Sequence, residues 1–410
     1  MRSDHAIALA MVAAAAQAAS PPVLTRVEPK DWTIHYEVVL TVPRDSVPIQ
    51  HRSRYQLVGD VAGFRFDSAD VYFPVPRETA SSTTQSKDPF FTGAAQFDGV
   101  DIARPAVLLR GDDAVGDYLL LSITPAPQIR APGQINPSGD ARTGYGGARL
   151  RLYAEIPVIS HETRYDEDRA QRINWPAKPL PATLQACLRP EPLIESDNPK
   201  VLALLAEWMN DAPSPAPPAL LAKFLTGKVV ERFMPVALGF EFNTVGQPEG
   251  LTLTGAAAIA EADRANPFDI ACLHVAVLRA AGIPARFIIG LDPVETTLRR
   301  FPMLRMWTEF CLVDETDDAA EWIPVDVVAQ RLFSSRPPPI TQRWQHFGFS
   351  DSLDDLVPIA HSFMPARSVC GPTIAYGSPA LWGWRPEPSV PAAEQTIRAW
   401  ASRSVKRGRP

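Results

Sequence analysis

The chain has 410 residues, a formal net charge of −6 and a hydrophobic content of 46%, enough for two or three domains and a sizeable core. The acidic balance excludes a nucleic-acid-binding face, which needs concentrated positive charge. The 42 prolines, about twice ordinary usage, exclude a long helical bundle and favour loops, edge strands and rigid connections. The four cysteines, Cys187, Cys272, Cys311 and Cys370, form no CxxC pair and show no metal-ligand spacing with histidine. No zinc site, no disulfide scaffold and no cofactor is expected.

Residues 1–20 pair a weakly basic start, Arg2, with an apolar run over Ala6–Ala16 and a small-residue site at Ala16-Gln17-Ala18. The pattern is that of a signal peptide, so a periplasmic or secreted protein with a mature end near Ala19 is expected. An Ala-rich frayed helix on a cytoplasmic protein is the alternative. No other segment has 18 apolar residues in a row, so no transmembrane span is expected in the mature chain.

Residues 25–160 read as a β-rich domain, an antiparallel sandwich or a mixed sheet. WTIHYEVVLTV (32–42) and DYLLLSITPA (117–126) are β-branched and aromatic runs, and ARLRLYAEIPVI (148–159) alternates like a half-buried strand. Prolines make 161–198 a linker. Asn198-Pro199 starts a helix with Val201, Leu204, Leu205 and Trp208 on one face, and a second helix spans about 217–233. GFEFNTVGQPEG (239–250) suits a short strand and turn. Asn266-Pro267-Phe268-Asp269 then reads as an N-cap, a first-turn proline and an acidic third position, with Phe268, Cys272, Val275 and Leu278 on one helical face. MWTEFCLV and AEWIPVDV are two strands around the polar turn DETDDA. Short strands follow over 346–388, and 389–410, ending in SRSVKRGRP, is a solvated tail.

GFEF (239–242), DIA (269–271), VLRAAGIPAR (277–286), IIG (288–290), WTEF (307–310) and EWIPVDVV (321–328) together resemble the transglutaminase-like superfamily. The resemblance implies an α+β fold: a papain-like core over 199–345 behind the β-rich domain. In that family a Cys, a His and an Asp carry acyl transfer, the thiolate being stabilised at a helix N-terminus and the Asp orienting the His. By position the Asp is Asp326, the Cys position holds Pro267 and the His position holds Arg305. Proline has no nucleophile, and arginine stays protonated. No Cys lies between Cys187 and Cys272, and no His between His274 and His346, so a small shift restores nothing. Trp307 and Glu309 match positions near the family's cleft and are candidate binding residues.

Cys272 is expected in the core. It cannot pair with His274, because the two point to nearly opposite sides of the helix. Cys311 is expected to be a buried strand residue with a thiol pKa raised by Glu309, and Arg286 to form a salt bridge beneath the core. Arg305 and Asp326 are expected to form a bidentate pair across adjacent strands. If that pair is buried, removal of Asp326 alone costs roughly 3–5 kcal/mol. Two functions follow. One is a degenerate member whose cleft binds a peptide or protein partner. The other is an acyl-transfer enzyme or peptidase with a different nucleophile, such as Cys370 with His361 or His346.

Overall fold

The computed structural model describes residues 21–41, 68–84, 92–97, 100–101, 107–109, 117–123, 149–236, 240–242, 248–251, 253–300, 302–316, 319–349, 353–362, 383–387 and 394–403. Elements are numbered within these. The expected signal segment 1–20 and Cys370 lie outside them.

β1 (Leu24–Thr41) begins before the predicted strand. It buries Trp32, Ile34 and Tyr36 and leaves Thr33 and His35 half-covered, the period-two signature of a strand with one face in the core. β2 (Ser68–Val75), β3 (Ser82–Thr84), β4 (Thr92–Phe97), β5 (Val100–Asp101), β6 (Val107–Leu109) and β7 (Asp117–Ile123) precede β8 (Arg149–Tyr165). β8 carries the predicted alternation through Leu152, Ala154, Ile156 and Val158, all buried.

With two late strands, these strands pair antiparallel and make two sheets. One has the order β18-β1-β8-β4-β5 with β3 also on β8; the other is β17-β2-β7-β6, where β17 is Gly383–Glu387 and β18 is Glu394–Arg403. The expected tail is therefore corrected. Residues 394–403 pair with β1 from Trp32↔Arg403 to Thr41↔Glu394, and Ala399 is buried. The basic run distracts from the strand ahead of it, and residues 404–410 lie outside the described ones. Likewise β17 belongs with the N-terminal strands rather than with a C-terminal extension.

The segment 161–198 is also more than a linker. It begins with the end of β8, continues in α1 (Glu167–Ala170) and α2 (Ala182–Ala186), and buries Ile173, Leu184 and Ile194. Its prolines make the backbone irregular without detaching it from the core.

The helical part follows prediction closely. In α3 (Pro199–Met209), Asn198 caps the Lys200 N–H at 3.0 Å, and Val201, Leu204, Leu205 and Trp208 are buried. α4 is Pro218–Arg232. β9 (Met234–Pro235) pairs with β12 (Arg264–Ala265), and β10 (Phe240–Phe242) pairs with β11 (Pro248–Leu251). Then come α5 (Ala256–Ile259), α6 (Pro267–Ala280), β13 (Ala285–Leu291), α7 (Pro293–Arg299), β14 (Leu304–Asp314), β15 (Ala319–Val325), α8 (Val327–Phe333) and β16 (Val357–Ala360).

The antiparallel sheet β15-β14-β13-β16 lies against α6, which also touches α3, α4, α5 and α8. Every residue of α6 from Phe268 to Arg279 is buried. The apolar stripe is present, but the helix is enclosed on all sides, as its polar-poor sequence allows. Gly290 is required where β13 meets β14, because a Cβ there would stand 2.5 Å from the Trp307 ring. The two parts of the chain share one core. Glu321 accepts the Val23 and Leu24 N–H groups, both at 2.9 Å, and Trp32 Nε1 donates to the Asp354 carbonyl at 3.1 Å. Among the described residues no helix is long and apolar enough to cross a membrane.

Candidate functional site

The N-terminus of α6 is closed by local chemistry. Asn266 Oδ1 accepts the Asp269 N–H at 2.9 Å, and Pro267 takes the first turn, where no N–H partner is needed. Asp269 is buried and accepts from Thr254 N, Thr254 Oγ1 and Gly255 N, each at 2.9 Å, and from Asn266 Nδ2. The end of the helix dipole that would stabilise a thiolate instead faces a buried carboxylate with both oxygens hydrogen-bonded.

Neither described α6 nor β14 thiol is poised to react. Cys272 is fully buried, and burial first, then the Asp269 charge, pushes its pKa well above the ordinary value. Cys311 is pushed up to about 12, chiefly by burial, with Glu309 a lesser cause. Both are the neutral, inert form.

His274 has both ring nitrogens engaged by residues other than Cys272. Its Nε2 meets Thr226 Oγ1 at 2.9 Å and its Nδ1 meets Thr308 Oγ1 at 2.8 Å. Thr226 Oγ1 also lies 2.8 Å from the Ala222 carbonyl, and Thr308 Oγ1 lies 3.0 Å from the Val325 carbonyl. A neutral imidazole has one N–H, so one of the two hydroxyls must turn its proton from its carbonyl to the ring. Sequence reasoning missed this network; the only signal was a His in an otherwise apolar helix.

Arg305 opens β14 and Asp326 follows β15. Arg305 Nη2 donates to Asp326 Oδ2 at 2.9 Å. The pair is not bidentate, because Asp326 Oδ1 accepts the Ala329 N–H at 2.8 Å and caps α8. His346 approaches through its backbone, its carbonyl accepting the Asp326 N–H at 3.1 Å.

The energetic expectation shrinks accordingly. The Arg305 side chain is 39% exposed and that of Asp326 11%, so water screens the pair. Asp326→Ala should cost about 1–2 kcal/mol, mostly the lost cap. Arg305→Ala should cost under about 1 kcal/mol, and the coupling in a double-mutant cycle should be about 0.5 kcal/mol. Urea melts of the four proteins measure it; a coupling indistinguishable from zero would leave only the cap.

Trp307 and Glu309 lie within the structure, both at 0% exposure. Trp307 packs with Ile288, Leu353 and Leu356. Glu309 Oε2 accepts from Arg286 Nε at 2.9 Å and Nη2 at 2.7 Å, and Oε1 accepts the Ala80 N–H at 2.8 Å. The Arg286 guanidinium lies 4.0 Å from the centre of the Trp322 ring. Arg286 thus has the salt bridge expected of it. Trp307 and Glu309 support the strand carrying Arg305 and present no group to a ligand as they stand. Among the described residues no three His, Cys, Asp or Glu side chains converge as a metal site.

Residues 236–327 match the family model of the transglutaminase-like superfamily. The fold is similar to that of a candidate cysteine protease from Cytophaga hutchinsonii, with a TM-score of 0.50 and 12% identity over 94% of this chain and 95% of that one. A candidate protease from Parabacteroides distasonis is 11% identical with a TM-score of 0.22, over 75% of this chain and 63% of that one. None of the curated proteins matches the sequence.

Proposed function

We propose that this protein, whose residues 236–327 match the transglutaminase-like superfamily, is a catalytically degenerate member whose cleft serves as a binding or scaffold surface for a peptide or protein partner. The observation that carries the reading is the pairing of Arg305 with Asp326 at 2.9 Å. The carboxylate that would orient a base is held instead by a permanent cation and by a helix cap. Pro267 supports the same reading at the other end of the site. It starts a well-capped helix and offers no atom to attack an amide. Buried, neutral Cys272 and Cys311 do not replace it. The pattern of residues 1–20 supports placing the partner in the cell envelope or outside the cell.

The test is incorporation of a labelled amine into glutamine-containing proteins, with a parallel peptide-hydrolysis assay. No turnover is expected from the wild-type chain, and Cys272→Ala should be indistinguishable from it. Thiol-dependent turnover that disappears in Cys370→Ala would overturn degeneracy and establish a non-family nucleophile.

A further inference from the structure

A cavity of about 490 Å³ opens at the far end of β14. Eight residues of strand, about 27 Å at the usual rise, separate Arg305 from Val313 in its wall, so it is distinct from the Arg305–Asp326 site. Its size is in the range of small-molecule pockets. Trp175 forms one side, 41% exposed. The ring is nevertheless held in place. Its Nε1 donates to the Ala216 carbonyl at 2.9 Å, and it packs against Gly282, where a Cβ would stand 3.9 Å away. An aromatic face that is fixed and still open is a preformed stacking surface, and exposing it gains the fold nothing.

The polar lining decides what fits. Asp166, Asp314 and Glu315 face the cavity together with Arg169 and Arg172. Three carboxylates against two guanidiniums disfavour a phosphate-bearing ligand. Each carboxylate is already partly engaged, which weakens its hold on an ammonium and still leaves lone pairs for a hydroxyl. Asp166 Oδ1 caps the Arg169 N–H at 3.0 Å. Asp314 takes the Thr316 N–H and hydroxyl and lies 3.6 Å from Arg169 Nη2. Glu315 Oε1 takes the Lys178 N–H at 2.8 Å. What remains around the indole is a set of carboxylate lone pairs beside the Arg172 guanidinium. A hydroxyl both donates and accepts, so it can use either.

We propose that this cavity binds a neutral saccharide, with the C–H face of one sugar ring stacked on Trp175 and its hydroxyls bonded to the Arg172, Asp314 and Thr316 side chains. The inference is independent of the degenerate cleft.

Saturation-transfer NMR on the full chain, with cellotriose and N,N′,N″-triacetylchitotriose as probes, tests it. Transfer to the sugar ring protons is expected for at least one probe, with loss in Trp175→Ala. Thr316→Val, at an exposed turn position, should weaken binding roughly fivefold, the value of one hydrogen bond, and does not depend on Trp175→Ala folding. No transfer to either sugar overturns the proposal. So does transfer unchanged in both variants, or binding of the zwitterion glycyl-glutamate in place of the sugars.

Discussion

Glu309→Ala is expected to destabilise the protein by about 3–5 kcal/mol, the usual result of breaking a buried ion pair from one side. Both Glu309 oxygens are engaged, by Arg286 and by the Ala80 N–H. The change leaves a mostly buried guanidinium with only the Glu78 carbonyl at 3.1 Å, and it strands the buried Ala80 N–H. The Arg286 side chain is 16% exposed, so it cannot swing fully into solvent without leaving the Trp322 ring. Replacing both partners with apolar residues, as in Arg286→Met with Glu309→Leu, should cost much less, leaving mainly the lost Ala80 hydrogen bond of about 1–3 kcal/mol. Urea melts of the two singles and the double decide the matter. A Glu309→Ala protein within about 1 kcal/mol of wild type would mean that the pair is solvated and that the two parts of the chain are joined elsewhere.

The second large effect is acid sensitivity through His274. Burial lowers its pKa to about 3 from the ordinary 6.5. The flanking hydroxyls of Thr226 and Thr308 could accept from an imidazolium, but two hydroxyl dipoles do not replace the hydration of a full charge. The unfolded chain takes up this proton near 6.5 and the folded chain holds it off until about 3. Between those values the unfolded state binds more protons, so stability falls as pH falls. The full effect, reached near pH 3, is up to about 5 kcal/mol; above pH 6.5 His274 contributes no pH dependence. Denaturant melts at pH 7, 5 and 4 on wild type and His274→Gln separate this from the carboxylates common to both. The wild type should lose more stability than the variant over that range, and parallel losses would show that His274 is not the responsible group.

What the sequence revealed was what neighbours in sequence decide. Asn198-Pro199 and Asn266-Pro267 announced two helix starts because capping is local chemistry. β14 and β15 were legible because a polar turn separates two apolar runs. β18 was hidden: a strand whose partner lies at the other end of the chain carries no mark of that partner, and a basic run beside it suggested solvent. The site divides in the same way. Arg305 and Asp326 were brought together by motif position, and the structure places them at 2.9 Å. Trp307 and Glu309 were also placed by motif, but their enclosure depends on β13, on Ala80 and on the segment 353–356, all remote in sequence. The Thr226–His274–Thr308 network joins three elements that no spacing rule connects.

The pairing of β18 with β1 also sets an order for the birth of the molecule. His35 Nε2 meets Ser402 Oγ at 2.8 Å across 367 residues of sequence. On the ribosome, β1 is made early, and its flank toward β18 stays open until residue 403 has emerged. During that time the growing chain displays an unpaired strand edge, the form of backbone most prone to join the wrong neighbour. The first sheet is therefore finished last. A message cut short between codons 361 and 394 yields a protein whose helical core can be intact and whose oldest strand still lacks its second partner.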